Sequence, residues 1–242
     1  MKGDDNIKKY RNEWKYFLSN GELTLLKSRI SKVMDLDSHT KEKGKEKGKY
    51  LIHSLYFDDY KDSSLYETEA GISKRFKWRI RYYDDDLSYI VLEKKEKLES
   101  RCHKKSCKIT IKEFESIVSE NIENIVYDTD KNLIKELACD MLLYNFKPKV
   151  IIDYERIAYV EEIANIRITF DMKISASYEL EHFLDGNYTK FYVNNSGVNV
   201  LEVKFDEILP SYIRKIVESY GFINTSFSKY YYGRKIIDSY MR

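Results

Sequence analysis

Cations placed two residues apart are the feature of this sequence with the clearest chemistry. In Lys77-Trp78-Arg79-Ile80-Arg81-Tyr82 they occupy alternate positions. Strand side chains point to alternate faces, so Lys77, Arg79 and Arg81 share one face, and Trp78, Ile80 and Tyr82 share the other. The habit recurs. Glu93, Lys95 and Lys97 share a face, as do Tyr154 and Arg156; Arg167, Thr169 and Asp171; Glu202, Lys204 and Asp206; and Arg11, Glu13 and Lys15. One charged stripe is an ordinary solvated sheet face. Six stripes, each backed by apolar or aromatic residues that need covering, imply charged faces turned inward beneath outer helices.

A closed barrel of about eight strands has room inside for side chains or for one elongated ligand. Cations crowded there repel one another, by about 4 kcal/mol per pair at 4 Å and an effective dielectric near 20. Basic groups outnumber Glu13, Glu93, Glu202 and a few Asp, and a chain of phosphates carrying a divalent cation resolves that imbalance. Arg forks match phosphate oxygens and Lys supplies point charges, while carboxylates hold the hard metal. Lys77, Lys97 and Lys204 either reach the ligand or sit at the barrel rim. Glu13 and Glu93 are expected to pair with neighbouring cations rather than with metal. Asp58 and Asp59 are expected to end a strand and cap the turn after it.

The elements that must position these groups follow from patterning. KKYRNEWKYFL (8–18) alternates as a first strand, and Ser19 with Glu22 forms a capping box for a helix carrying Leu23, Leu26, Ile30 and Val33 on one stripe. Residues 37–49 read as a charged surface loop, or as a basic flap over an anion-binding mouth. Strands are expected near 50–58, 73–83, 88–97, 103–111, 148–160, 165–174, 177–183, 188–193 and 198–206. Helices are expected near 111–120, 130–144, 209–220 and 226–240. Short-spaced meandering strands with helices outside define an α+β fold built on an antiparallel β-barrel.

Composition bounds the function. The 242 residues are 43% hydrophobic and 34% charged with net charge +2, and 22 are Tyr, a residue suited to half-buried strands. No Gly/Ser- or Pro-rich linker divides the chain, so 1–242 reads as one domain. No apolar run approaches the roughly 18 residues that span a bilayer, and Met1–Lys15 lacks an apolar signal core. Cys102, Cys107 and Cys139 form no CxxC or zinc pattern, which suits reduced thiols in the cytoplasm. With four His and no HExxH, a histidine metal site is not expected. A net charge of +2 gives no global field for nucleic acid, and the cations alternate with buried positions instead of forming an exposed patch. There is no P-loop GxxxxGK[ST].

At these residues the chain resembles the vacuolar transporter chaperone (VTC) domain, the polyphosphate polymerase module of the triphosphate-tunnel superfamily. The segments that carry the resemblance are RNEWKYFL (11–18), SLYFDD (54–59), KWRIRYY (77–83), VLEKKEK (91–97), YERIAYV (154–160), IRITFD (166–171), VLEVKFDEILP (200–210) and FSKYYYG (227–233). They fall in family order over nearly the whole chain. The resemblance implies a tunnel-shaped barrel that binds a nucleoside triphosphate with a divalent metal, Mn²⁺ or Mg²⁺. It assigns phosphate binding to Lys15, Arg79, Arg81, Lys95, Arg156, Arg167 and Lys229. It adds one basic residue of HKKSCK, Lys105 or else Lys108, and makes Glu202 the metal ligand with Lys204 beside it. The hydrolase branch opens with an ExExK strand; here the first position is Arg11, as in the polymerase-like branch. The phosphate-sensing domain and membrane helices of the eukaryotic polymerases have no counterpart in these residues.

The resemblance implies transfer of the ATP γ-phosphoryl group to a growing polyphosphate end. Arg79, Arg81, Arg156 and Arg167 would stabilise equatorial oxygens and Glu202 would position the metal. The acceptor phosphate is the nucleophile, so none is needed from the protein. Two other readings stand beside this one: a metal-dependent tri- or polyphosphatase, and a polyanion binder without turnover.

Overall fold

The alternating segments form strands because each pairs one apolar face with one charged face, and closing the sheet satisfies both. The computed structural model describes residues 10–42, 48–99, 101–127, 129–193, 198–219 and 221–241. Its strands are β1 (Arg11–Leu18), β2 (Asp35–Leu36), β3 (Tyr50–Asp58), β4 (Lys74–Tyr83), β5 (Asp86–Leu98), β6 (Arg101–Ile109), β7 (Lys147–Glu161), β8 (Ile166–Ser177), β9 (Phe191–Tyr192) and β10 (Asn199–Phe205). The helices are α1 (Asn20–Ile30), α2 (Ser38–Glu42), α3 (Ser63–Glu69), α4 (Ile111–Val118), α5 (Ile122–Tyr127), α6 (Asn132–Tyr144), α7 (Ser211–Glu218) and α8 (Lys229–Tyr240).

Eight strands close an antiparallel barrel in the order β7-β3-β4-β5-β6-β1-β10-β8, with β8 returning to β7; β2 and β9 extend it at the edges. The α+β barrel expected from the charge stripes is therefore the fold. Outward faces carry the core. Trp78, Ile80 and Leu92 lie fully buried under α4, α5 and α6, and the Trp78 indole N–H donates to Asp140 at 2.7 Å. Leu201, Val203 and Ile168 lie under α1 and α7. Burying a large apolar side chain contributes about 1.5–3 kcal/mol, so these covered outer faces are what hold the charged faces inward.

The joint between β6 and β1 is brief, pairing only Arg11 with Cys102 and Asn12 with Arg101. Beyond it, the segment entering α8 takes over the edge of β1: the Thr225 amide donates to the Lys15 carbonyl at 2.8 Å, and the Lys15 amide donates to Asn224 Oδ1 at 3.3 Å. Helix α8 then packs on Ile152 and Ala176. Ile152 lies on the same face of β7 as Tyr154 and Arg156, so α8 stops one end of the interior. Gly233 makes this approach possible, because a Cβ there would stand 2.1 Å from Ile152 Cδ1.

Most boundaries follow the periodicity, including the Ser19–Glu22 capping box. Asp58 accepts from the Ser64 and Leu65 amides and Asp59 from those of Lys61 and Ser63, so both cap the turn as expected. Three expectations fail. Val33 falls in the turn after α1 and is 39% exposed. The expected strand at 177–183 is a 3₁₀ turn at Leu180–His182. Leu180 and Phe183 reach the core three residues apart, a turn spacing rather than an alternation. Of the strand expected at 188–193, only Phe191–Tyr192 pairs. The charged 37–49 segment contains α2 at Ser38–Glu42; 43–47 lie outside the described residues.

Candidate functional site

The inward faces enclose a cavity of about 980 Å³. Among the described residues lining it, thirteen are Lys or Arg and three are Asp or Glu. Register builds this array: Arg79 lies opposite Glu93 and Tyr56, Arg156 opposite Asp171, and Lys15 opposite Glu202. β1, β4 and β5 each contribute three or more inward charges, β3 contributes Tyr50 and Tyr56, and antiparallel pairing brings these groups alongside the inward charges of β6, β7, β8 and β10.

Two buried centres organise the cations. At the first, Arg156 grips Asp171 with both arms of its guanidinium, at 2.6 and 2.7 Å. Lys229, at the start of α8, spans Asp171 at 2.6 Å and Glu202 at 2.8 Å. Lys204 Nζ lies 3.1 Å from Glu202, and Lys15 and Arg156 each lie 3.9 Å from it. Burial alone would raise the Glu202 pKa, but Lys229, Lys204, Lys15 and Arg156 together hold it well below the carboxylate range. At the second, Glu93 accepts from Arg79 Nε and Lys104 Nζ, both at 2.6 Å. Arg79 also donates to the Tyr56 hydroxyl at 3.0 Å, and Arg81 to the Tyr154 hydroxyl at 2.9 Å. Glu13 extends the first centre, accepting from Lys95 at 2.7 Å with Lys15 at 3.6 Å and Lys204 at 3.8 Å.

Burial and crowding oppose the charge on several of these cations. Burial, reinforced by Arg75, Lys15 and Lys95, pushes the Lys77 amine well below the usual lysine range. Burial pushes Lys204 down to about 8, with Lys95 and Arg156 adding to it while Glu202 and Glu13 pull the other way. Such groups regain a full charge when a polyanion arrives.

Lys15, Arg79, Arg81, Lys95, Arg156, Arg167, Lys204, Lys229 and Glu202 all line this cavity, as do Lys77 and Lys97. Lys105 does not. It points outward from β6 and pairs with Glu136 of α6 at 2.9 Å, while Lys104 takes the inward place. The cause is register: Lys95 faces in and lies opposite Lys104, whereas outward Lys94 lies opposite Lys105. Lys108 shares the face of Lys104 but stands at the far end of β6, 5.6 Å from the Tyr89 ring centroid. Sequence reasoning also passed over Asp171 as a partner of Arg156, the hydroxyls of Tyr56 and Tyr154, and Asp37, which holds Arg167 at 2.5 Å. Tyr154 and Asp171 stood in charged stripes; Asp37 gave no signal, because it reaches the barrel from outside the strands.

Among the described residues no three His, Cys, Asp or Glu converge on a point where they would hold a metal unaided. Glu202 and Glu13, which share Lys15 and Lys204 as partners, offer one or two carboxylate ligands. That donor set suits a hard divalent cation that takes its other oxygens from phosphates.

An eight-strand antiparallel barrel with cations gathered around a few carboxylates in its lumen defines the triphosphate-tunnel class. Solved structures share the fold. A putative adenylyl cyclase from Hippeastrum, HpAC1, described as having a dominant triphosphatase activity, superposes with a TM-score of 0.58 at 15% identity, over 93% of this chain and 95% of that one. A putative adenylate cyclase from Bacillus halodurans superposes with a TM-score of 0.51 at 13% identity, over 91% and 94%. Within this class the chain belongs to the VTC domain family, whose model matches residues 10–237. No curated protein matches the sequence at a significant level.

Proposed function

We propose that the protein is a polyphosphate polymerase, an ATP–polyphosphate phosphotransferase that moves the γ-phosphoryl group of ATP onto the end of an inorganic polyphosphate chain. The observation that carries this reading is the excess of inward cations around Glu202, together with membership of the VTC domain family. Phosphoryl transfer needs positioning and charge neutralisation more than covalent catalysis. Arg79, Arg81, Arg156 and Arg167 hold the equatorial oxygens, and Lys15, Lys95, Lys204 and Lys229 neutralise the remaining charge. Glu202, aided by Glu13, holds the Mn²⁺ or Mg²⁺ that enters with the nucleotide. When bound, that ion withdraws charge from the phosphates. The cations between these groups keep the two phosphate ends in line.

The first inward position of β1 favours transfer over hydrolysis. Arg11 stands where an ExExK strand would place a carboxylate, and its Nε pairs with Asp206 at 3.0 Å. A tri- or polyphosphatase is the competing reading, supported by the activity described for the Hippeastrum protein. Incubating the protein with ATP and Mn²⁺ or Mg²⁺ and resolving the products on a urea gel separates the two. A ladder of long polyphosphate with ADP is expected; free phosphate alone would assign the phosphatase, and intact ATP would leave a polyanion binder. We take 1–242 as one functional unit and place it in the cytoplasm, where its free cysteines stay reduced. No helix among the described residues is long and apolar enough to cross a membrane.

Polyanion affinity is expected to fall at alkaline pH. With the Lys204 amine pushed down to about 8, the free tunnel carries that charge below pH 8 and loses it above. Bound phosphate raises this pKa, so binding above pH 8 takes up a proton and weakens as pH rises. For one such group, tripolyphosphate should bind about eightfold more weakly at pH 9 than at pH 7.5. Calorimetry in two buffers of different ionisation enthalpy measures both the affinity and the proton uptake. Lys204→Met should flatten the profile, and an unchanged slope in that variant would assign the proton elsewhere.

A further inference from the structure

One inward position of the barrel carries a polar group that the charge network leaves unused. Thr169 of β8 stands between Arg167 and Asp171 on the inward face, while Ile168 and Phe170 turn outward into the core. Its side chain is fully buried and its hydroxyl has no hydrogen-bond partner. Register sets it between Ala158 of β7 on one side and Glu202 of β10 on the other. Two other buried side-chain atoms among the described residues lack a hydrogen bond, Arg11 Nε and one oxygen of Asp84. Arg11 Nε lies 3.0 Å from Asp206, and the second oxygen of Asp84 accepts from the Leu51 amide at 2.8 Å. Thr169 is left with neither kind of contact.

Packing does not ask for a hydroxyl here. Valine has the same branched shape and the same preference for strands, and the neighbour across β7 is the methyl group of Ala158. A buried hydroxyl without a partner is destabilising, and such atoms are rare in folded chains. Thr169 is accounted for if it gains its partner in another state of the site. Its proton needs an acceptor, and the neighbouring Arg156, Arg167 and Lys204 are donors only. Two carboxylates share its face: Asp171, two residues along β8, and Glu202, directly across on β10. Asp171 is committed to three short bonds, two from Arg156 at 2.6 and 2.7 Å and one from Lys229 at 2.6 Å. Glu202 has one contact below 3 Å, with Lys229 at 2.8 Å, and Lys204 lies 3.1 Å away. Its two methylenes let the carboxylate turn, and directly opposed residues hold their Cβ atoms only about 4.5–5.5 Å apart.

We propose that Thr169 is the positioning residue for Glu202: its hydroxyl donates to that carboxylate when phosphate draws Lys229 and Lys204 away, and so sets it to hold the divalent cation. The inference rests on the metal-holding role proposed for Glu202. In the free tunnel the two lysines fix the carboxylate. A polyanion competes for both amines, and a glutamate released from them loses its fixed orientation. Thr169 supplies a donor on the adjoining strand, on a side chain whose χ1 is stiff. With one carboxylate oxygen engaged there, the other stays available to the ion. Hydrogen-bond partners behind a metal ligand are worth about 10–100-fold in metal affinity.

The test titrates tripolyphosphate by calorimetry into wild type, Thr169→Val, Thr169→Ser and Glu202→Ala, once in EDTA and once with saturating Mn²⁺. Thr169→Val should weaken binding in Mn²⁺ by about tenfold and leave binding in EDTA within twofold. Its Tm without ligand should equal or exceed that of wild type, because the change removes an orphaned polar atom and keeps the shape. Thr169→Ser should restore the Mn²⁺-dependent affinity, and its bound Mn²⁺ should give the wild-type EPR spectrum where the valine variant does not. Equal weakening in both media, or a lowered Tm, would make the hydroxyl a support of the barrel and overturn the inference. If Thr169→Val binds as wild type in Mn²⁺ while Glu202→Ala loses the Mn²⁺ effect, the inference fails and the metal role of Glu202 stands. If the Mn²⁺ effect survives in Glu202→Ala, that role falls and the inference falls with it.

Discussion

Arg156→Ala is expected to lower kcat/KM for ATP-driven polyphosphate synthesis by about 10³-fold, the upper range for losing one aimed donor at a developing phosphoryl charge. Arg156 does two things at once. Its fork fixes Asp171 through bonds of 2.6 and 2.7 Å, and its charge stands 3.9 Å from Glu202. Burial opposes the guanidinium charge, yet Asp171, Tyr154 and Tyr50 hold its pKa well above the ordinary arginine value. It is therefore a fixed cation in the deepest part of the tunnel. Truncation alone leaves Asp171 with Lys229 as its one close cation among the described residues, and breaking a buried pair costs about 3–5 kcal/mol of stability. The double variant Arg156→Ala/Asp171→Asn removes that orphaned charge, so it should recover thermal stability without recovering activity. Arg156→Lys keeps the charge and loses the fork, and should retain more activity than alanine while staying about tenfold or more below wild type. Synthesis within fivefold of wild type in the double variant would remove Arg156 from the site.

How much of this was legible in the sequence depends on what each residue had opposite it. The stripes at 77–82 and 201–206 announced their faces, because every charged position alternated with an apolar or aromatic one; in 92–97 the faces were less plain, with Lys94 and Glu96 between the charges of the other face. The barrel followed from them by burial alone. Strand β6 gave no such sign: in Arg101–Ile109 the residues between the charges are Cys, His and Ser, and neither face is apolar enough to fix the parity. Parity therefore cannot choose between Lys105 and Lys108, the two residues the resemblance offers, and the register with β5, which sets Lys95 opposite Lys104, puts Lys104 inward instead. Asp37 and Lys229 show the same limit at longer range. Lys229 was reached through the resemblance of its FSKYYYG segment, since nothing local to a helix N-terminus says that it enters a barrel 27 residues away in sequence from Glu202. Asp37 carried no pattern at all. The turn at Leu180–His182 was read as strand because Leu and Phe there are apolar, although their spacing of three was already that of a turn.

Glu202→Ala should separate catalysis from binding more sharply than any other single change. The carboxylate lies within 4 Å of Lys229, Lys204, Lys15 and Arg156, and those four cations hold it ionised. If it holds the metal as proposed, removing it takes a ligand from a site that among the described residues has no three-ligand cluster to fall back on. Metal-dependent synthesis should fall by about 10²–10³-fold, the loss of one preorganised electrostatic contact at the reacting phosphoryl. The same deletion frees several cations in a setting where a unit charge at 4 Å is worth about 4 kcal/mol at an effective dielectric near 20. Metal-free tripolyphosphate should therefore bind at least as tightly as to wild type, and its binding should raise Tm by at least as much. Opposite signs in the two assays on one variant are what a metal-holding carboxylate within a cation ring requires. A fall in both would make Glu202 a brace for Lys229 and Lys204 instead. Wild-type synthesis with alanine at this position would transfer the metal role to Glu13, the other carboxylate that shares Lys15 and Lys204.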